Sequence, residues 1–343
     1  MSYRGVHQYI DRVGSHVCTE TLLGDRMIRF FYTTARERAP AVFDALTSAR
    51  MSSLLGFFHY DLPAVRPLHR VRRVMHRMGI DPADCLDPPD QFDTLRKLFE
   101  RKIRYLQRRP MTDAPSAVVS PADSRMIVGS FADTSALFIK GKFFDFEELI
   151  GRHRSRWLER FYHGDFAVFR LTPEKYHYNH MPVAGRVVDI YDIPGRFHSC
   201  NPGAVISLAT PFSKNKRVVT VFDTNVEGGT GIGMVAMIEV VALMIGDIVQ
   251  CYSDDTGSGY DDPRPVCSGM TVRKGVPKSL YRPGSSVDVL IFEKGAIDFS
   301  PDILRNLHRM DAVSRFSMNF GRPLVETEVE VRSVIATKKE TGA

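Results

Sequence analysis

The sequence contains few of the residues that stabilise small secreted domains or metal-bound ribbons. Only 5 of its 343 residues are cysteines. They lie far apart, and none belongs to a Cys-x-x-Cys pair: Cys18, Cys85, Cys200, Cys251 and Cys267. An odd number of scattered thiols excludes a disulfide framework and a zinc ribbon. With 43% apolar residues, the chain can instead bury a large core, which excludes a disordered or fibrous protein.

Long hydrophobic runs are also absent. A membrane-spanning helix needs roughly 20 apolar residues. The best candidate, residues 234–249, is shorter and is interrupted by Glu239, Gly246 and Asp247. The first eight residues lack the apolar core and cleavage site of a signal peptide, so we expect a cytoplasmic start.

Positive charge is concentrated in the first third of the chain. Residues 1–110 carry 19 Lys/Arg and 12 Asp/Glu, whereas the remainder carries 27 and 28. The segment 66–77 and a predicted amphipathic helix over 95–109 supply much of this excess. Such a surface is either an ordinary solvated face or a contact with anionic lipid.

Two aromatic segments, 27–32 and 54–60, favour the lipid interpretation, although core packing explains each of them alone. A partner nucleic acid is not expected, because the sequence contains no zinc-finger, helix-turn-helix or RNA-recognition signature.

The composition changes at the proline-rich segment 110–121. We place a boundary there, between a helical, basic, membrane-associating domain (1–112) and a second domain (113–343). Short apolar runs in the second domain predict strands over 166–171, 183–190, 218–222, 286–292 and 327–335. We therefore predict an α+β protein in which a helical N-terminal domain precedes a β-rich, sandwich or barrel-like catalytic domain.

A glycine cluster at 228–233 partly matches a dinucleotide-binding fingerprint. Gly231, Gly233 and Ala236 have the loose spacing, and Asp254 lies at a plausible distance. A Rossmann unit also requires alternating strands and helices, which the surrounding β pattern does not provide. A hairpin loop is the favoured interpretation.

Two histidines, His177 and His180, lie close together before a Pro-containing turn. Further metal ligands at suitable spacing are missing nearby, so a metal site is disfavoured. Acid/base chemistry suits them better, because imidazoles titrate near neutral pH. A purely structural role is about equally compatible with the pattern.

The tripeptide Gly284-Ser285-Ser286 precedes an apolar strand. By itself it indicates a turn. It also permits self-cleavage: without a side chain on Gly284, the Ser285 hydroxyl can reach the preceding carbonyl, and the peptide can rearrange to an ester. Elimination then leaves a pyruvoyl group.

Several segments, in this order, resemble the phosphatidylserine decarboxylase family over roughly residues 115–300. They are 120–123 (SPAD), 138–142 (FIKGK), 148–151 (ELIG), 161–165 (FYHGD), 171–182 (LTPEKYHYNHMP), 201–202 (NP), 215–219 (NKRVV), 235–239 (VAMIE) and 284–286 (GSS). Each is weak alone, but their co-occurrence in order is specific. The sequence departs from the family pattern at Ser124, where glycine is usual, at Tyr178, where arginine is common, and at Ser286, where threonine is commoner.

The resemblance implies a proenzyme that cuts itself between Gly284 and Ser285, giving a β chain (1–284) and an α chain (285–343). Asp123, His180 and Ser285 would form the self-cleavage triad. Ser285 would become the covalent pyruvoyl cofactor that forms a Schiff base with the substrate amine, without pyridoxal phosphate or metal. His177 would act in decarboxylation or protonation.

The implied reaction converts phosphatidylserine to phosphatidylethanolamine and CO2 at the cytoplasmic side of the membrane, where the protein would be peripheral. A homodimer is compatible with this scheme. Two alternatives remain at this point: the same chemistry on a soluble amino acid, and a non-catalytic membrane-binding scaffold.

Overall fold

The computed structural model describes residues 6–22, 25–48, 51, 60–61, 68–132, 143–208, 210–242, 247–254, 257–284, 286–317 and 323–340. These residues form a mixed α/β protein dominated by one ten-stranded sheet, with two further sheets of three strands each. The β-rich character predicted from the sequence is confirmed.

Sixteen strands occur in the described residues. In chain order, β1 to β16 are Gln8–Asp11, Val17–Thr19, Ala117–Val119, Ser124–Ser130, Asp165–Leu171, Tyr178–His180, Gly185–Ile193, Arg217–Asp223, Met234–Val241, Ile248–Gln250, Thr271–Val272, Pro277–Tyr281, Ser286–Phe292, Ile297–Phe299, Glu326–Val329 and Val334–Lys338.

The large sheet has the order β11-β7-β8-β9-β13-β5-β4-β15-β1-β2, and the small sheets are β10-β12-β6 and β14-β16-β3. Among the described residues, the outermost strands β11 and β2 are not paired with each other, so this sheet is open and the barrel-like closure is not found. These edge strands have only two and three residues, which limits exposed edge hydrogen bonding.

The centre of the large sheet is its most buried part. Strand β13 is buried at all seven positions and pairs antiparallel with β9 and β5 along its whole length. A strand covered on both faces has a continuous apolar sequence, as in Val289-Leu290-Ile291-Phe292. Helix residues such as Leu149 and Trp157 pack onto the same core.

The described helices are short. In chain order, α1 to α11 are Asp25–Phe30, Arg36–Arg38, Pro40–Leu46, Leu68–Arg77, Leu95–Phe99, Tyr105–Arg108, Phe146–Ile150, Ser155–Arg160, Pro202–Val205, Pro211–Lys214 and Pro301–Leu307. A π-helical turn, Phe31–Ala35, links α1 to α2, and 3-10 turns span Pro82–Asp84, Pro89–Gln91 and Arg315–Ser317. In the part of the chain that the structure describes, we find no helix with the length and apolarity needed to cross a bilayer.

The predicted continuous helix over 95–109 is wrong. The chain forms α5, interrupts the helix, and resumes as α6. Between them, Ile103 forms a β-bridge with Cys85, which requires extended backbone and breaks the helical hydrogen bonds. Thr94 caps α5 by accepting a hydrogen bond from Lys97 N.

The predicted strand over 327–335 is also wrong, because it is two strands, β15 and β16. The turn between them contains Arg332 with φ of +71°, a left-handed conformation that a strand cannot include. The two strands consequently join different sheets.

The first residues are not helical, because β1 and β2 extend the large sheet. Strand β1 pairs in parallel with β15. Beside it, Arg170 bonds the carboxylates of Glu20 and Glu326, and Glu326 Oε2 also lies 2.8 Å from His7 Nε2. These acidic groups therefore already have cationic partners, and the cluster ties the N-terminal segment to the sheet.

The aromatic segment 27–32 is divided between core and surface. Tyr32 is buried and its hydroxyl accepts a hydrogen bond from Ser199 N, whereas Phe30 is 61% exposed. Of the second aromatic segment, residues 54–59 lie outside the described residues.

The glycine cluster forms the loop between β8 and β9, which pair antiparallel. A dinucleotide fold is thereby excluded for this segment, because its fingerprint glycines must join a strand to a helix.

Candidate active site

The predicted cleavage site lies where the chain passes from one sheet to another. Strand β12 belongs to the small sheet with β6 and β10, while β13 is central in the large sheet. Gly284 connects them with φ of +153°, a conformation that glycine adopts far more readily than other residues. Ser285 itself lies outside the described residues.

His180 is the last residue of β6 and is held at both ring nitrogens. Its Nε2 lies 2.9 Å from the Tyr176 hydroxyl and its Nδ1 lies 3.0 Å from the carbonyl oxygen of Gly275. The ring is fully buried, and burial lowers the pKa of His180 to about 3. His180 is therefore neutral near pH 7, which is the form that can accept a proton.

Asp123 lies in the loop between β3 and β4 and is bound by an arginine. Arg109 donates to both carboxylate oxygens, at 3.0 Å from Nε and 2.8 Å from its terminal nitrogen, and Val331 N donates to Oδ1 at 2.8 Å. Burial opposes ionisation of Asp123, but the bonds from Arg109 outweigh it and hold its pKa below the usual value.

Asp123 and His180 are neighbours without a direct hydrogen bond in this structure. The backbone N of His180 donates to Pro121 O at 2.7 Å, which fixes β6 beside the loop that carries Asp123. The Asp123 carboxylate acts on His180 through its field, and this negative charge opposes the lowering of the His180 pKa.

His177 is buried, and among the described residues no side chain makes a hydrogen bond to either of its ring nitrogens. The nearest polar backbone groups are those of Thr172 and Pro173. The His177 ring stacks on Phe99, with centroids 3.6 Å apart. Burial, followed by the nearby positive charge of Arg101, lowers the pKa of His177 to about 3. A buried imidazole without a side-chain partner is a candidate for contact with a ligand.

Arg101 places a buried positive charge next to His177. Its guanidinium donates to Leu98 O at 3.2 Å and to Glu174 O at 2.7 Å. Both of these acceptors are neutral backbone carbonyls. Burial consequently lowers the Arg101 pKa, and the charge is available to an anionic ligand.

Tyr178 belongs to an aromatic cluster. Its ring stacks on Tyr176 at 5.4 Å and meets the edge of Tyr260 at 5.1 Å. Arg101 supplies a cation to the region of the two histidines from a different element.

The residues on both sides of Ser285 are compatible with a reactive group made from it. Gly284 and Ser286 are both buried, which suits a reactive carbonyl that must be kept from water.

The structure brings Asp123, His177 and His180 into one region, because the Asp123 charge acts on both rings. In the pairing of β6 with β12, His180 lies opposite Pro277, and Tyr281 N, three residues before Gly284, donates to His177 O. Sequence reasoning did not identify Arg109 or Phe99, which contact Asp123 and His177 directly. It also did not interpret Glu239 and Asp288, two buried acids in otherwise apolar strands. A lone acid within an apolar run is the signal that could have identified both.

The sequence is similar to proteins of one known family. A family model described as phosphatidylserine decarboxylase matches residues 95–316. Phosphatidylserine decarboxylase proenzyme 2 of rice is 32% identical over 240 residues, covering 68% of this chain and 35% of its own. The Nitrosococcus oceani proenzyme is 31% identical, covering 71% and 77%, and that of Fusobacterium nucleatum is 24% identical, covering 87% and 91%. The family model spans both histidines, Asp123 and the Gly284-Ser285 junction, and the chain belongs to the phosphatidylserine decarboxylase family.

Proposed function

We propose that this protein is a self-processing, pyruvoyl-dependent decarboxylase that converts phosphatidylserine to phosphatidylethanolamine and CO2. The family match across residues 95–316 carries this conclusion, and its range includes the positions that we propose for the chemistry. The relatives are named as phosphatidylserine decarboxylase proenzymes, which favours the lipid substrate over a free amino acid.

Self-cleavage begins at the junction of the two sheets. Ser285 Oγ attacks the Gly284 carbonyl carbon, and the peptide bond becomes an ester with a free amine. Elimination across the Ser285 Cα–Cβ bond releases the Gly284 carboxylate. The remaining enamine takes up water and loses ammonia, leaving the pyruvoyl group at the start of the α chain.

His180 is the proposed base for the Ser285 proton. Its low pKa keeps it neutral, and the neighbouring Tyr176 hydroxyl and Gly275 carbonyl fix its ring. Asp123, kept ionised by Arg109, stabilises the imidazolium that forms.

Decarboxylation requires an electron sink, which the pyruvoyl carbonyl supplies once the substrate amine has reacted with it. His177 is the proposed donor of the proton that replaces CO2. Its pKa of about 3 applies to the site without substrate. An anionic headgroup beside His177 raises this pKa, because it offsets the charge of Arg101.

Binding to the membrane surface is the proposed role of the basic N-terminal region. Helix α4 buries Val71 and Met75 in a small apolar cluster and exposes Arg72, Arg73 and Arg77. Such a face attracts anionic lipid without inserting.

We expect binding to phosphatidylserine-containing vesicles to weaken with salt, because raising ionic strength from 0.1 to 1 M shortens the screening length from about 10 to about 3 Å. Reversing Arg72 and Arg73 to Glu should weaken binding more than tenfold, at ~1 kcal/mol for each basic residue near the surface. Reversal of the exposed Lys294 and Arg305 makes the same change in net charge and is the control. Equal effects of the two double variants in vesicle flotation would contradict a role for α4.

The central test is the intact mass of the purified protein under denaturing conditions, followed by CO2 release from phosphatidylserine vesicles and from free serine. We expect two chains divided at Gly284/Ser285, with a pyruvoyl mass at the start of the smaller chain, and activity on the vesicles. Activity on serine alone would replace the lipid by a soluble amino acid. A single inactive chain would contradict the proposal and favour a scaffold.

A further inference from the structure

Two side chains make direct contact across the proposed cleavage site. Tyr281 ends β12 and Asp288 lies in β13, so cleavage would assign them to different chains. Both are fully buried. Since β12 and β13 belong to different sheets, no backbone pairing joins them, and this contact links the two ends directly.

The contact requires more hydrogen atoms than the tyrosine can supply. Tyr281 Oη lies 3.0 Å from Val287 O and 2.7 Å from Asp288 Oδ1. A phenol has one hydrogen, and a carbonyl oxygen can only accept. Both distances are hydrogen bonds if Tyr281 donates to Val287 O and Asp288 donates to Tyr281. That arrangement requires a protonated Asp288.

The groups facing Asp288 favour the same protonation state. Glu239 lies opposite it on β9 and is ionised, held by Lys278 and Ser279 of β12. On the other side β5 presents Phe169. Burial and the Glu239 charge raise the pKa of Asp288 well above its ordinary value, and they outweigh the Tyr281 hydrogen bond and the buried Lys278 cation, which both act to lower it.

Asp288 Oδ2 adds independent geometric support. It is buried and has no hydrogen-bond partner in the described part of the chain. An ionised carboxylate in this position would leave a charged oxygen uncompensated, whereas a neutral acid leaves only a weak acceptor.

We propose that Asp288 is a neutral carboxylic acid whose hydrogen bond to Tyr281 holds β13 against β12 and thereby positions the Gly284–Ser285 bond for self-cleavage. The inference rests on the proposed function, which sets the cut at that bond. Asp288 acts through Tyr281 and the backbone, so it is a positioning residue.

The test compares Asp288→Asn, Asp288→Ala and Tyr281→Phe in the full-length chain. Asparagine is neutral and carries an N–H donor, so Asp288→Asn should cleave within a few-fold of the wild-type rate. Asp288→Ala and Tyr281→Phe each remove the bond and should slow cleavage roughly tenfold. The rate is read from the fraction of cut chain over time by denaturing mass spectrometry.

A second measurement is independent of cleavage and uses the uncut Ser285→Ala chain. The raised Asp288 pKa in the folded state means that its contribution to stability is fully present below the unfolded value of ~3.9 and is lost as pH rises towards the folded value. Asp288→Asn should abolish this loss. We therefore compare the free energy of unfolding of the Ser285→Ala chain with that of the Ser285→Ala/Asp288→Asn chain. The double variant should become more stable than the single variant by an amount that grows between pH 4 and pH 8.

Four outcomes separate the possibilities. Cleavage by Asp288→Asn as slow as by Asp288→Ala would show that an ionised carboxylate is required and would overturn the inference. Wild-type rates in all three variants would overturn the positioning role. Stability curves that stay parallel from pH 4 to pH 8 would overturn the neutral acid. An uncut wild type with diverging stability curves would overturn the proposed function and, with it, the positioning role, while supporting the neutral acid alone.

Discussion

Ser285→Ala is expected to yield one uncut, inactive chain of the full 38.7 kDa mass. Without the hydroxyl there is no nucleophile for the Gly284 carbonyl and no source of the pyruvoyl group, so both cleavage and decarboxylation are lost completely. Intact mass and CO2 release measure the two effects on the same preparation.

The neighbouring serine provides a matched control. Ser286 is buried, and its hydroxyl has no hydrogen-bond partner among the described residues, so Ser286→Ala removes little stabilising interaction. We expect this variant to cut itself and to remain active. Normal cutting in Ser285→Ala would refute the mechanism, and loss of cutting in Ser286→Ala alone would assign the nucleophile to Ser286.

His177→Ala is expected to cause a large loss of decarboxylation activity. This variant should cleave itself at the normal rate but decarboxylate roughly 10²- to 10⁴-fold more slowly, the usual range for loss of a general acid or base. His177 lies beside the buried cation of Arg101, which can attract an anionic substrate, whereas the Tyr176 hydroxyl and the Gly275 carbonyl fix the ring of His180 for the self-cleavage step. Cleavage is followed by mass and the chemical step by single-turnover release of CO2.

His198→Gln is the control for loss of a buried histidine. His198 packs against Phe43 in a separate cluster, and its change should leave both reactions intact. His180→Ala should show the converse of His177→Ala and remain uncut. Failure of His177→Ala to cut itself would mean that the two histidines do not divide the two reactions.

The central strands were predictable from the sequence because burial on both faces leaves a continuous apolar run. Strand β13 begins and ends at the predicted residues, Ser286 and Phe292. The prediction of a single strand over 327–335 failed. Its residues alternate as in one strand, but Arg332 has a left-handed backbone conformation that ends the strand. The alternation of apolar and polar residues does not show where the backbone reverses direction.

The site was predictable only in part, because its hydrogen bonds join segments that are distant in the sequence. The positions of His177 and His180 along the strand that leads to Gly284 depend on the pairing of β6 with β12, about 100 residues apart. The bond between Arg109 and Asp123 depends on helix α6 ending where it does. The family resemblance predicts the reactive residues, while their hydrogen-bond partners required the fold.

Cleavage would place neighbouring strands of the large sheet on two different chains. The α chain would supply β13, between β9 and β5, and β15, between β4 and β1, so its strands interleave with those of the β chain. The two chains cannot separate without dismantling the sheet centre. Once denatured, however, they must find each other again, so refolding becomes bimolecular and depends on protein concentration, whereas the uncut chain refolds as one molecule. Cleavage would therefore make the apparent stability of the protein depend on its concentration.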